Sequence, residues 1–481
     1  MESIWTSLRE AILTLLAIIA TLLCVLAIDA ETGPAVLAVV LALSLSRSQL
    51  DRDQKGRVEA AIVLPLIGLV ALGVGALLKQ VPVVGALVFV AGMALSIWLR
   101  RFGSAARRAG SLIALPFVVL LVTPHIPSQR LGTVMALLMP ILVALVALVW
   151  VSAFHWLGRR IPWLPPFPSH AETAGVPAAV PERTSALRPD ATTRMALQMA
   201  AALSAAFIVG FMVFPERWSW VVLTAFIVNS GNRGRGDVAY KSVLRVLGAG
   251  AGTLAALVLS DPFSSSDSAT VGFILVAVFF GIWLRPLGYA WWALFVTLAL
   301  ALLQHFTGMQ TRLVLWPRLE EILIGAVIGV AAAWFVLPVR SLDVMKRRIA
   351  DALAALSTAL DPASTPGLPD DFEAAVARVE QLAPAFRAWR RVSRRFDSIQ
   401  PADWVDSLAG CVDPASAVIR GERAATGLRT EVGKARRAMR EPAGILPALQ
   451  ALRQRLEQAS QVVEGVPPVG APRGRSGHAA S

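Results

Sequence analysis

The chain has 481 residues, 56% of them hydrophobic and 16% charged, with a mean hydropathy of +0.63 and a formal net charge of +13. Soluble domains carry roughly 25% charged residues, so much of this chain must be solvated by lipid rather than water. Two cysteines, Cys24 and Cys411, leave no disulfide framework or thiolate metal site, and five scattered histidines form no ligand cluster.

In chain order, apolar runs predict six segments near residues 10–28, 33–46, 58–78, 81–99, 109–124 and 131–156. No small-x-small cleavage site before a soluble domain follows Ala11 to Ile28, so this first run is expected to stay as a span. Basic residues follow the second segment (Arg47, Arg52, Lys55, Arg57), the fourth (Arg100, Arg101, Arg107, Arg108) and the sixth (Arg159, Arg160). The intervening connections carry Asp29 and Glu31, or Lys79, or Arg130. By the positive-inside rule the basic connections and both termini are cytoplasmic, as in a multi-pass membrane protein.

A polar, proline-rich linker over residues 161–192 leads to a second apolar block. Its segments fall near 195–214, 218–230, 239–259, 269–284, 288–304 and 319–338, and the charge alternation recurs. Arg233, Arg235, Lys241 and Arg245 follow the second segment, Arg285 the fourth, and Lys346, Arg347 and Arg348 the last, while Asp261 and Asp267 fall in an outer loop. The basic excess is therefore topological, and no nucleic-acid partner is expected despite a pI near 11.

The two blocks read as an internal repeat. Ile97-Trp-Leu-Arg-Arg-Phe-Gly matches Ile282-Trp-Leu-Arg-Pro-Leu-Gly at an offset of 185 residues. Nearly the same offset brings Trp150 onto Trp334, Gly68 onto Gly252 and Arg57 onto Lys241. An even number of spans per half gives both halves one orientation, with a pseudo-twofold axis along the membrane normal. The expected fold is all-α: about 12 transmembrane helices as two six-helix parallel repeats, plus a C-terminal cytoplasmic helical domain. Its boundaries are 1–160, 161–192, 193–340, 341–465 and a disordered tail over 466–481. The second segment of each half is unusually short, the pattern that marks binding sites in transporters with repeats.

Within the second block, Trp218-Ser-Trp-Val-Val-Leu-Thr-Ala225 is followed by a Gly/Arg turn, then Lys241-Ser-Val-Leu-Arg-Val-Leu-Gly248 and Gly252. Further on come Arg318-Leu-Glu-Glu-Ile-Leu-Ile-Gly325 and Leu337-Pro338. This pattern resembles the fusaric-acid-resistance family and its aromatic-acid-exporter relatives over about residues 190–340. The first half carries it weakly, with Gly33-Pro34 where the second has Trp. The resemblance implies an inner-membrane exporter of small organic or aromatic acids, distantly similar also to plant malate channels.

Several residues are candidates for that chemistry. Arg245, Lys241, Arg233 and Arg235 can form a vestibule for a carboxylate, guanidinium being suited to bidentate pairing, although topology signalling alone accounts for basic loops. Thr224 and Asn229, on the short second segment, can hydrogen-bond substrate or freed backbone. Glu321, the position matching the family pattern, and Glu320 start the last segment and are candidates for proton coupling; the plain alternative pairs them with Arg312 or Arg318 at the outer interface. Trp218 and Trp220 read as interfacial anchors. Gly248, Gly250, Gly252, Gly325 and Gly329 read as sites of close helix approach.

No phosphate-binding loop or nucleophile-base arrangement is present, so no cofactor and no enzymatic activity are expected. The expected partners are a small organic anion and the bilayer, with a homo-oligomer and a periplasmic adaptor left open. Proton-driven export leads, with an organic-anion channel or a non-transporting membrane scaffold as the alternatives. Residues 341–465 read as about four amphipathic helices, with Arg387, Arg390, Arg391, Arg394 and Arg395 as a basic face suited to headgroups or to solvent.

Overall fold

The structure is a computed structural model describing residues 2–29, 32–49, 68–71, 73–103, parts of 106–121, 133–160, 190–231, 233–260, 268–306, 311–361, 369–394, 400–420 and 427–464. The third segment before residue 68, parts of the fifth, the linker over 161–189 and the tail from 465 lie outside the described residues. So do the loop charges Glu31, Arg52, Lys55, Arg57, Arg107, Arg108, Arg130, Asp261 and Asp267, and also Arg395. Every regular element among the described residues is a helix. The chain divides into two compact units, Met1–Val339 and Arg340–Ser481.

The first unit is built from α1 (Glu2–Ile28), α2 (Thr32–Gln49), α3 (Pro82–Trp98), α4 (Thr133–Arg160), α5 (Ala191–Val213), α6 (Trp218–Asn229), α7 (Arg235–Ser260), α8 (Ser268–Trp283), α9 (Tyr289–Phe306) and α10 (Thr311–Phe335). Five stretches are long and apolar enough to cross a membrane: Ile4–Ile28, Pro82–Phe102, Leu138–Gly158, Ala191–Val213 and Arg235–Leu259. Gly33–Ser46, Trp218–Asn229, Ala269–Trp283 and Tyr289–Gln304 are shorter apolar helices. This is the make-up of a multi-pass membrane protein. The 12 residues of α6 span only about 18 Å at 1.5 Å per residue, well short of a hydrocarbon core of about 30 Å.

Helix pairing follows the same plan in both halves. In the first, α1, α2 and α4 pack on one another; in the second, α5, α6 and α10 do. Across the halves, α1 packs on α8 and α3 packs on α5, so the first helix of each half meets the helix of the other half's fourth segment. The matched tetrapeptides also fold alike. A 3-10 turn, Leu99–Phe102 after α3 and Arg285–Leu287 after α8, ends on a glycine of positive φ, Gly103 at 101° and Gly288 at 152°. A side chain is disfavoured in that conformation, which explains why glycine closes both turns.

Lipid provides no hydrophobic drive for helices to associate, so small residues and close backbone approach hold such a unit together. Gly248 and Gly252 lie against Ala290, Ala293, Leu294 and Thr297 of α9, while Gly325 and Gly329 lie against Val221, Thr224, Val228 and Asn229 of α6. A methyl group on Gly325 would come within 2.6 Å of the Val221 carbonyl oxygen. Gly250 differs from the sequence expectation: it faces open space, two residues and so about 200° of helix rotation from Gly248. At the end of α10, Leu337 adopts φ 47°, and the Gln198 amide donates to the carbonyls of Val336 and Leu337 at 3.0 and 3.1 Å.

The second unit contains seven described helices: α11 (Ser341–Ala359), α12 (Pro369–Glu380), α13 (Ala383–Ser393), α14 (Pro401–Ala409), α15 (Val412–Arg420), α16 (Leu428–Ala438) and α17 (Pro442–Glu464). The sequence reading of about four was too few because breaks such as Gln381-Leu382 and Gly410-Cys411 are only two residues long, so helical periodicity runs through them. Their apolar faces share one core that includes Leu353, Leu356, Phe372, Trp404, Leu408 and Leu452. Burial pushes the Cys411 thiol up to about 12, which makes it an inert core residue.

Candidate functional site

A cavity of about 670 Å³ lies between α1 and α2 of the first half and α6 to α9 of the second. Most of its wall is aliphatic or aromatic, with Val36, Val40, Leu223, Ile274, Trp292 and Phe306 among the lining residues. Ser44, Ser230 and Tyr289 add hydroxyls, and the charged residues in the lining are Lys241 and Arg245. The volume falls within the range of about 300–1,000 Å³ usual for small-molecule sites, and the pairing of an apolar wall with few polar groups is typical of them.

The two cations differ. Lys241 Nζ lies 2.9 Å from Asp237 Oδ2, one helical turn away, and donates to the Gly231 carbonyl at 3.2 Å. Arg245 is 2% exposed, makes no ion pair among the described residues, and its Nε has no hydrogen-bond partner. Ten residues into α7, it lies about 15 Å along the helix from Arg235, far deeper than a loop charge. An arginine near the middle of a membrane helix costs about 2.5–3.5 kcal/mol to insert even on the mildest scale, so one without a partner is a candidate for binding.

A second group of buried charges joins α6, α9 and α10. Arg318 is 2% exposed, donates from Nη1 to Gln304 Oε1 at 2.7 Å, and its guanidinium lies 4.1 Å from the centroid of the Trp220 ring. It feels the like charge of Arg245. Glu321 is fully buried, with Arg217 Nε 3.1 Å from its Oε1, yet neither carboxylate oxygen accepts a directed hydrogen bond. This is a buried carboxylate whose counter-ion is half-exposed.

Residues 200–332 match the model of a family described as fusaric acid resistance protein-like. The second membrane block carries a fusaric acid resistance protein-like domain. Transport across membranes, not enzymatic chemistry, is the function class that such a domain brings. No curated protein and no solved structure matches the chain. The match takes in Arg245, Lys241, Arg318 and Glu321, so the cavity's cationic end and the buried carboxylate both belong to the fusaric acid resistance protein-like domain.

The other residues singled out in the sequence are placed differently. Thr224 faces Gly325, and Asn229 faces Gly329 while its Nδ2 donates to Ala225 O at 3.0 Å; both are turned to α10 rather than to the cavity. The tight α6–α10 crossing leaves them no other direction. Arg233 and Arg235 stay outside the lining: the Arg233 amide donates to Asp237 Oδ2 at 3.2 Å, and Arg235 stacks on Trp334 at 5.7 Å. Glu320 is exposed and Glu321 buried, and both sit about three turns into α10 because that helix begins at Thr311, before Pro317, rather than near residue 319.

Trp218 and Trp220 are not outward anchors. Trp218 packs between Phe207 and Phe211, and Trp220 lies under Arg318. Arg217 and Gln304, which hold Glu321 and Arg318, went unnoticed in the sequence because their partners lie 104 and 14 residues away.

Proposed function

We propose that the chain exports small organic acids, aromatic ones included, across the inner membrane, using two six-helix halves of like orientation and both termini in the cytoplasm. The anion binds in the cavity between the halves, with its charge on Arg245 and its body on the apolar wall. Arg245 carries this reading, since it is a deeply buried guanidinium that no carboxylate among the described residues matches and that lines an apolar cavity. The like pairing of helices within and between the halves supports a rocking motion of one half against the other. Arg233 and Arg235 attract the anion to the inner mouth, while Lys241 lines the cavity with its charge matched by Asp237. Thr224 and Asn229 act one step removed, by holding α6 against α10. Glu321 takes up and releases the coupling proton as its contact with Arg217 opens and closes, with Glu320 adding local negative charge.

The test is reconstitution into liposomes with an imposed pH gradient and a panel of radiolabelled aromatic and aliphatic acids. Accumulation that follows the proton gradient is the expected result. A voltage-driven anion current indifferent to pH would replace export by a channel, and no flux of any acid with correctly folded protein would remove the reading altogether.

A further inference from the structure

We infer that the cavity selects organic anions carrying a single negative charge and rejects dianions of the same size. The inference rests on the cavity being the substrate site, and it follows from the charges around it. Lys241 contributes no free charge, because Asp237 matches it at 2.9 Å and the Gly231 carbonyl takes a second of its donors. Arg318 lies outside the lining and is held by Gln304 and the Trp220 ring, while Glu321 is matched by Arg217. Among the described residues, one unmatched cation, Arg245, therefore faces the cavity.

A guanidinium can receive one carboxylate through two parallel hydrogen bonds, leaving the rest of the ligand to Val36, Val40, Leu223, Ile274 and Trp292. A second carboxylate on that ligand would be carried into the apolar wall with no cation among the described lining residues to meet it. Desolvating a charge without a partner is far costlier than burying the hydrogen or methyl group it replaces. The expected discrimination is about a hundredfold or more in affinity. Asp237 is then a specificity residue that touches no substrate: by holding Lys241 it keeps the cavity at one charge.

Equilibrium binding of benzoate and terephthalate to the full-length protein in a neutral detergent tests this directly, because the two share a ring and differ by one carboxylate. Benzoate is expected to bind at least about a hundredfold more tightly. Asp237→Asn, which releases Lys241, should narrow the ratio by about tenfold or more, whereas Asp237→Glu should leave it near the wild-type value. Should Asp237→Asn fail to fold, Ser44→Lys, which puts a second unmatched cation in the lining, carries the same expectation.

Terephthalate binding as tightly as benzoate overturns the charge rule and leaves the site reading standing. A ratio that neither variant moves does the same. No binding of either acid to folded protein overturns the site reading and the rule with it. The same chemistry could come from a lipid headgroup, so phosphatidylglycerol and phosphatidylcholine are added to delipidated protein. Uptake of phosphatidylglycerol alone, lost in Arg245→Gln and unaccompanied by benzoate binding, assigns the seat to lipid and overturns the substrate reading together with the rule.

Discussion

In the C-terminal unit, Arg387 and Arg390 reach Asp406 at 2.6 and 2.8 Å, half-exposed at the surface over an apolar core, and Arg390 also pairs with Asp403. In the membrane unit, Arg245 and Arg318 are buried and no carboxylate hydrogen-bonds to either among the described residues. The first arrangement is the ordinary one for a folded domain in water: charges stay where solvent can reach them and the core is left to apolar side chains. The second is costly in any solvent and costlier in lipid. Stability can come from the first kind of charge or do without it, whereas the second kind persists only where something other than stability requires it. The comparison supports placing the proposed transport chemistry in the membrane unit and leaving packing to the C-terminal bundle.

The sharpest test of that division removes a large side chain from the bundle's core. Trp404 is 1% exposed, and replacing a buried Trp by Ala costs about 3–5 kcal/mol. Hydrogen exchange over α14 to α17 should accelerate by at least about a hundredfold in Trp404→Ala, while transport by the reconstituted protein stays within about twofold of wild type. A parallel loss of transport would show that the bundle contributes to the cycle and would break the division.

Arg245→Ala reverses the pattern. Hydrogen bonds to charged groups contribute about 1.5–3 kcal/mol, so anion affinity should fall by about 10- to 150-fold. Because the variant also removes an unmatched buried charge, thermal stability should hold or rise. A protein that unfolds with its affinity intact would recast Arg245 as a structural residue. Glu321→Gln keeps the shape of that side chain and removes its proton chemistry. Flux should persist down a substrate gradient but lose its dependence on the proton gradient, and unchanged pH-driven accumulation would take Glu321 out of the coupling role.

Much of this was legible in the sequence and some was not, for identifiable reasons. Apolar runs and their punctuation place helices well because lipid tolerates little else, and the Ile-Trp-Leu-Arg repeat marks two turns that do fold alike. Arg245 stands out in the sequence because an arginine between Leu244 and Val246 interrupts an apolar stretch. What the sequence could not supply was helix rotation. Thr224 and Asn229 share the short α6 with the cavity residues Leu223 and Ile227, and turns of only one or two residues, about 100° each, separate the face that meets α10 from the face that meets the cavity. Asp237 was equally hidden: the sequence shows it as one more loop charge, and only its 2.9 Å contact reveals that it cancels Lys241.

The smallest expected effect lies in the surface pairs of the bundle. Burial alone would push the Asp406 carboxyl up, but hydrogen bonds from Arg387 and Arg390, together with their charges, outweigh it and hold the carboxyl below the usual range. A carboxylate whose folded-state value lies below its unfolded value of about 3.9 adds stability above that pH and loses it as pH falls through the folded value. With all three side chains a quarter or more exposed, solvent screening limits each pair to about 0.2–1 kcal/mol. Asp406→Asn should therefore lower the bundle's stability by less than about 1 kcal/mol at pH 7, with the difference from wild type closing below pH about 4. A loss several times larger, or one that persisted in acid, would mean that these surface pairs are not limited by solvent screening and would erase the contrast between the two units.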